Sequence, residues 1–305
     1  MISRRQFLRW LATLGATGVA VACYGTLFEP LMRLKIARYD LRSKAWPSGF
    51  PLTIAALADL HACRPWMDVE RIESIVQQTN ALGADIVLLL GDYVGGMRTA
   101  AEPVPSREWS QALAGLRAPL GVHAILGNHE WWEDRAVQRA GHGVPVARRA
   151  LEAAGIPVYE NDAVRLHKVG RAFWLVGLGD QLAYWPSRRL RPGRRVGVDD
   201  LAGTLAKVPD DAPVILMAHE PDIAVRVPER VALQLSGHTH GGQVRLLGWS
   251  PVVPSRYGNR FAYGHVQERC DVVVSGGLGC SIVPFRFGVP PEIVLVRVDG
   301  PAVST

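Results

Sequence analysis

Five apolar runs in this 305-residue chain each end in acids, amides or imidazoles, and that repeated ending limits what the chain can become. Residues 52–58 run into Asp59 and His61 as A-D-L-H. Residues 85–90 run into Asp92 as L-G-D-Y-V, and residues 121–126 into Asn128 and His129 as G-N-H-E. Residues 214–218 meet His219 as A-H-E-P-D, and residues 231–235 meet His238 and His240 as G-H-T-H-G-G-Q. Continuous apolar runs of this length suit strands buried on both faces, as in sheets covered by helices. In such α/β sheets, ligand sites form beyond the carboxyl ends of the strands.

The intervening segments fit that reading. Residues 68–82 carry Val69, Ile72, Ile75 and Val76 at helical spacing, with Asp68 as N-cap and Gly83 as the stop. Residues 95–120 hold a short helix among turn formers, and residues 146–154 a further helix. Residues 156–159, 173–177, 261–267, 271–275 and 292–298 read as additional strands, and residues 186–212 as a loop-rich stretch. Strand and helix alternate early, while strands dominate late. The expected architecture is α/β, with two packed mixed sheets flanked by helices and no internal linker.

Composition excludes several classes. A chain with 48% hydrophobic residues is no disordered segment. Cys23, Cys63, Cys270 and Cys280 are too few for a disulfide scaffold and form no zinc-type CxxC pair. The formal charge of +6 falls to +3 once Arg4, Arg5 and Arg9 are set aside with residues 1–22, which hold no acid. So small a charge indicates no nucleic-acid partner.

Those three arginines belong to an address. Paired Arg4-Arg5, then Phe7-Leu8, then an uncharged run from Trp10 to Phe28 resembles a twin-arginine export signal. Residues 1–29 are therefore expected to engage that export machinery as a signal or membrane anchor, with residues 30–50 a polar connector and the main domain at 51–300. Three fates compete: cleavage at Ala20-Val21-Ala22, lipidation of Cys23 in a poor lipoprotein box, or retention as an anchor with the arginines inside. Retention is favoured slightly. In each case the body lies outside the cytoplasm, at the outer membrane face, in the periplasm or in the cell wall.

The strand-end groups are oxygen and imidazole-nitrogen donors with no thiolate, suiting Mn, Fe, Zn or Co. Seven of them are too many for one ion and right for two. Two histidines at i and i+2 in G-H-T-H project the same way from extended backbone, as ligands rather than packing would require. Glycines 91, 127, 237, 241 and 242 permit the tight turns a metal cradle needs. His123, His142, His167 and His265 read as structural.

The ordered set of motifs resembles the calcineurin-like metallophosphoesterase superfamily, and within it an exported or membrane-anchored bacterial branch. The closing segment, Gly277-Leu278-Gly279-Cys280-Ser281 through Pro284-Phe285-Arg286-Phe287 to Pro291-Glu292-Ile293, carries the same likeness. The resemblance covers about residues 50–300 and implies a four-layer α/β/β/α sandwich. It further implies that Asp59, His61 and His240 hold one divalent metal ion and Asn128, His219 and His238 a second, with Asp92 bridging. A water bridging the pair would act as hydroxide on phosphorus, and His129 would serve as general acid. Many relatives carry an acid where Gly95 stands; Asp180 or Glu130 is then expected to orient the His129 ring.

A phosphodiester or phosphomonoester substrate, lipid-linked or free, follows from that resemblance. Trp66, Trp131 and Trp132 could line a groove for it, and Arg245, Arg256, Arg260 and Arg286 could grip a second phosphate. One alternative is hydrolysis of a pyrophosphate of the UDP-2,3-diacylglucosamine type in lipid A synthesis. Another, from a different class, is a non-catalytic metal-stabilised module that binds cell wall or membrane.

Overall fold

The apolar runs fold into strands whose alternate side chains enter different cores, as the two-residue period of extended chain demands. A computed structural model describes residues 3–97, 101–185 and 196–302. Its main strands are β1 (Lys35–Arg42), β2 (Leu52–Leu57), β3 (Ile86–Leu89), β4 (Val122–Ala124), β5 (Asp162–Lys168) and β6 (Arg171–Gly177). They continue with β7 (Val214–Met217), β8 (Val231–Ser236), β9 (Gly264–Gln267), β10 (Asp271–Val274) and β11 (Glu292–Asp299). One sheet has the order β1-β11-β2-β3-β4 and the other β9-β10-β8-β7-β6-β5, and both mix parallel and antiparallel pairs.

Three apolar clusters separate four layers. Leu52, Ile54, Ile86 and Leu88 of one sheet meet Leu175, Ile215, Met217 and Leu235 of the other, forming the central core. The alternate residues Ala55, Leu57, Val87 and Leu89 face outward against Ile72 and Ile75, Trp109 and Leu151 of the covering helices. On the far side, Val214, Leu216, Val272 and Val274 pack under Ile223 and Ala224. The expected sandwich is the one observed. Asp68 caps the helix Val69–Ala81 by accepting from the Arg71 N–H at 2.9 Å, and Gly83 follows with φ of 61°.

Some local expectations fail. Residues 30–50 are more than a polar connector: Lys35–Arg42 forms the edge strand β1, pairing parallel with β11, while Trp46 and Phe50 enter the central core. Residues 156–159 supply only an isolated bridge, from Val158 to Ala124. The hairpin partner β5 was hidden in charged sequence because its edge position leaves most of it half-exposed. The Arg- and Pro-rich stretch at 186–195 lies outside the described residues.

The N-terminal helix runs Arg4–Met32, long and apolar enough to cross a membrane. Ser3 and Gln6 close a capping box at its start, and none of Arg4–Cys23 is buried. Among the described residues, only its last turns touch the domain. Gly25 lies against the Phe285 ring, the Thr26 carbonyl accepts from Trp66 Nε1 at 2.8 Å, and buried Glu29 accepts the Gly288 N–H at 3.1 Å.

Candidate metal centre

β2, β3 and β4 run parallel, as do β6, β7, β8 and β10, and the loops after their carboxyl ends meet at one edge of the sandwich. The Asp59 N–H donates to the Gly91 carbonyl at 3.0 Å, and the His238 N–H donates to Asp59 Oδ1 at 2.8 Å, joining loops of both sheets. Asp59, His61, Asp92, His238 and His240 all have φ between 45° and 69°. Left-handed backbone at five such residues is strained, and it persists only where surroundings dictate it, as at functional sites.

Two donor clusters result, and Asp92 belongs to both. Asp59, His61, Asp92 and His240 bring one ligand atom each within 4.8 Å of the others, and so do Asp92, His219 and His238. Asp92 Oδ2 lies 3.6 Å from His61 Nε2 and 3.2 Å from His219 Nε2. His61 Nε2 lies 3.0 Å from His240 Nε2, and His238 Nδ1 faces Asn128 Oδ1 at 2.8 Å. All seven candidate ligands are thus gathered, every one of them buried.

Hydrogen bonds to the main chain aim the rings. His61 Nδ1 donates to the Val94 carbonyl at 2.9 Å and His219 Nδ1 to the Leu90 carbonyl at 2.7 Å, which turns each Nε2 toward Asp92. Burial lowers His61 and His238 to about 3 and His240 well below the ordinary histidine value, so these rings stay neutral. Burial, with Asp92 nearby, raises the Asp59 carboxyl to about 7. At His219 burial is outweighed by Asp92, whose charge holds the ring proton well above the usual range.

These groups fit divalent cations. Asp59 Oδ2 is buried and has no hydrogen-bond partner among the described residues, an orphaned acceptor that a cation would satisfy. Three neutral imidazoles, a fourth at His219 that must give up its Nε2 proton, an amide oxygen and two carboxylates make a hard-to-borderline donor set.

Glu130 does not orient His129. Its buried carboxylate accepts the N–H groups of Asp92 at 2.9 Å, Tyr93 at 2.7 Å, Val94 at 3.2 Å and Gly127 at 2.7 Å. It therefore clamps the Asp92 loop to the Asn128 loop. The signal was present: Glu130 stands three residues after Gly127, the spacing of a capping box. Asp180 is not the orienting group either, since it accepts from the Leu182 N–H at 2.8 Å, and burial with the neighbouring Glu220 charge raises its carboxyl well above the usual range. Packing sets the His129 ring, which lies edge-on to His61 at 4.8 Å, 5.1 Å from Trp132, and against Gly96. Glu133 Oε1 is 3.7 Å from its Nδ1.

The aromatic and arginine candidates divide. Trp66 ties down the N-terminal helix and Trp131 is buried against Tyr184, so Trp132 alone of the three borders the site. Arg286 is fully buried and grips no phosphate: it donates to the carbonyls of Gly276 at 2.8 Å, Gly279 and Val289 at 2.9 Å. Arg260 pairs with Glu268, and Arg245 bonds Ser250 at 3.1 Å. The four cysteines are unpaired.

Fold and site together define a metal-dependent phosphoester hydrolase. The chain belongs to the calcineurin-like phosphoesterase family, whose model matches residues 52–242. It is similar to the metallophosphoesterase YkuE of Bacillus subtilis, at 29% identity over 96% of both chains. It is likewise similar to the phosphodiesterase YaeI of Escherichia coli, at 29% identity over 97% of this chain and 99% of that one. A Danio rerio transmembrane protein with metallophosphoesterase domain is 28% identical over 79% of this chain and 52% of its own length.

Proposed function

We propose that the chain hydrolyses phosphodiesters or phosphomonoesters at a dinuclear metal centre on the outer side of the cytoplasmic membrane. The observation that carries this reading is Asp92, shared between two donor clusters only one carboxylate apart. Asp59, His61 and His240 would hold one cation and Asn128, His219 and His238 the other, with Asp92 between them. Bound there, divalent cations supply Lewis-acid stabilisation of phosphoryl oxygens and make a nearby water acidic enough to attack. His129 sits at the rim of the cluster and carries the proton for the departing oxygen. In the metal-free chain burial works against that proton, and Asp92 and Glu133 outweigh it; once cations occupy Asp92, Glu133, 3.7 Å from Nδ1, is the carboxylate left to favour it. Trp132 packs beside His129 and holds it at the mouth.

The YaeI likeness supports phosphodiester substrates, and the exposed N-terminal helix supports placement at the envelope. With Arg4, Arg5 and Arg9 inside, the domain would lie outside. An R4K/R5K double variant should leave active protein in the cytoplasm. Purified full-length protein loaded with Mn, Zn, Fe or Co should turn over bis-p-nitrophenyl phosphate. Two bound cations and no turnover with any of these metals would favour a non-catalytic binding module.

A further inference from the structure

Among the described residues, six exposed large apolar side chains of the domain fall on two joined turns, while Ile36, Val144, Val146 and Val169 belong to other segments. Leu246 and Trp249 close a tight hairpin through mutual N–H to carbonyl bonds of 2.8 and 2.9 Å, with Leu247 fully exposed at its tip. Val252 follows, and Ile282 and Val283 stand exposed on the neighbouring turn. The two segments are joined: Gln243 accepts the Ser281 N–H at 2.7 Å and donates to the Val283 carbonyl at 3.3 Å, while the Arg245 N–H reaches the Phe287 carbonyl at 2.8 Å. Single exposed apolar residues are ordinary, but a contiguous patch marks an interaction surface.

Both ends of this patch lead somewhere. Toward the N-terminal helix, the Phe287 ring meets Tyr24 at 5.6 Å, Phe285 lies on Gly25, and the Arg286 N–H donates to the Gly25 carbonyl at 2.8 Å. The uncharged run of that helix ends at Phe28, so the patch lies level with the end of a segment long enough to span a bilayer. Toward the metal centre, Ser281–Ile282 pairs with Gly96–Met97, and Gly96 lies directly on the His129 ring. Charge agrees. Residues 237–267 and 272–291 contain no Asp or Glu, while Arg245 and Arg256 flank the hairpin.

We propose that Leu246, Leu247, Trp249, Ile282 and Val283 rest in the bilayer interface beside the helix, so that the metal centre opens at the level of lipid headgroup phosphates. The occupant is the membrane itself, because the helix holds this face against it; basic residues around an apolar tip favour anionic lipid. This rests on reading residues 1–29 as a retained anchor.

The test is depth-dependent quenching in the full-length protein, reconstituted in vesicles of phosphatidylcholine and phosphatidylglycerol. Exposed Cys23 is first replaced as C23S, and an environment-sensitive fluorophore is placed by L247C, I282C, L14C or V169C. Val169 is the control: it is exposed in the β5–β6 turn, whose neighbour Lys168 reaches Pro51 before β2, at the edge opposite Asp59. Doxyl lipids should quench the labels at 247 and 282 several-fold more than the label at 169, with the label at 14 also quenched. Quenching at 14 with 247 and 282 no different from 169 would overturn the inference and keep the anchor. No quenching at 14 would remove the anchor and the inference with it. A spectral shift at 247 that follows protein density and ignores doxyl lipid would assign the patch to a second copy of the chain and also overturn the proposal.

Discussion

The Glu130 carboxylate accepts the main-chain N–H of Asp92 at 2.9 Å, so the residue common to both donor clusters is held in place by an acid outside them. The same carboxylate takes three further N–H groups, which E130A would strand in a buried loop. Each unsatisfied buried donor costs about 1–3 kcal/mol. E130A should lower Tm by about 10 °C or more and reduce the metal bound per chain, measured by thermal denaturation and elemental analysis. Unchanged Tm and full metal content would show that the clamp is dispensable.

Gly127 sits where no side chain fits. A Cβ there would lie 2.4 Å from Asp92 Oδ1 and 2.7 Å from the His219 ring. G127A should therefore deplete the His219 cluster of metal while leaving the far-ultraviolet circular dichroism spectrum intact. Two cations per G127A chain would contradict this placement.

Cation loading must expel protons. Burial pushes Asp59 up to about 7, and His219 is held protonated well above the usual histidine value once Asp92 outweighs burial. Both groups carry protons below neutrality in the metal-free protein, and a cation displaces them. Affinity should therefore fall about tenfold or more between pH 7 and 6, with protons released on binding, as buffer-dependent calorimetry would record. A pH-independent affinity would refute the assignment of Asp59.

His129 touches the site without joining either cluster. A general acid matters most for a poor leaving group. H129A should lose about 10²- to 10⁴-fold in kcat on an alkyl phosphodiester and far less on a p-nitrophenyl ester, with metal content unchanged. Equal losses on both substrates would make His129 a structural residue.

What could be read from the chain alone follows a physical line. The strand-end acids and histidines were legible because buried strands and their terminal ligands are local in sequence, and the helix at 69–81 declared itself through Asp68 and Gly83. The expected connector passes over a signal at β1, where Ala37, Tyr39 and Leu41 alternate with Arg38, Asp40 and Arg42 at the period of a half-buried strand; what the chain alone does not show is its pairing partner, more than 250 residues away. The burial of Arg286 depends on three carbonyls brought together only by the fold. Trp66 reads as a groove aromatic until its partner in the N-terminal helix is known. Glu130 lay between these cases, with the right spacing but with contacts from a loop 36 residues earlier.

The sharing of Asp92 between two cations is tested most directly by counting metal per chain in the wild type and in D92N, alongside turnover of bis-p-nitrophenyl phosphate. Two cations should bind the wild-type chain; D92N should hold one or fewer and lose turnover by about 10³-fold. A wild-type chain that binds a single cation, or a D92N protein that keeps both cations and its activity, would contradict the account.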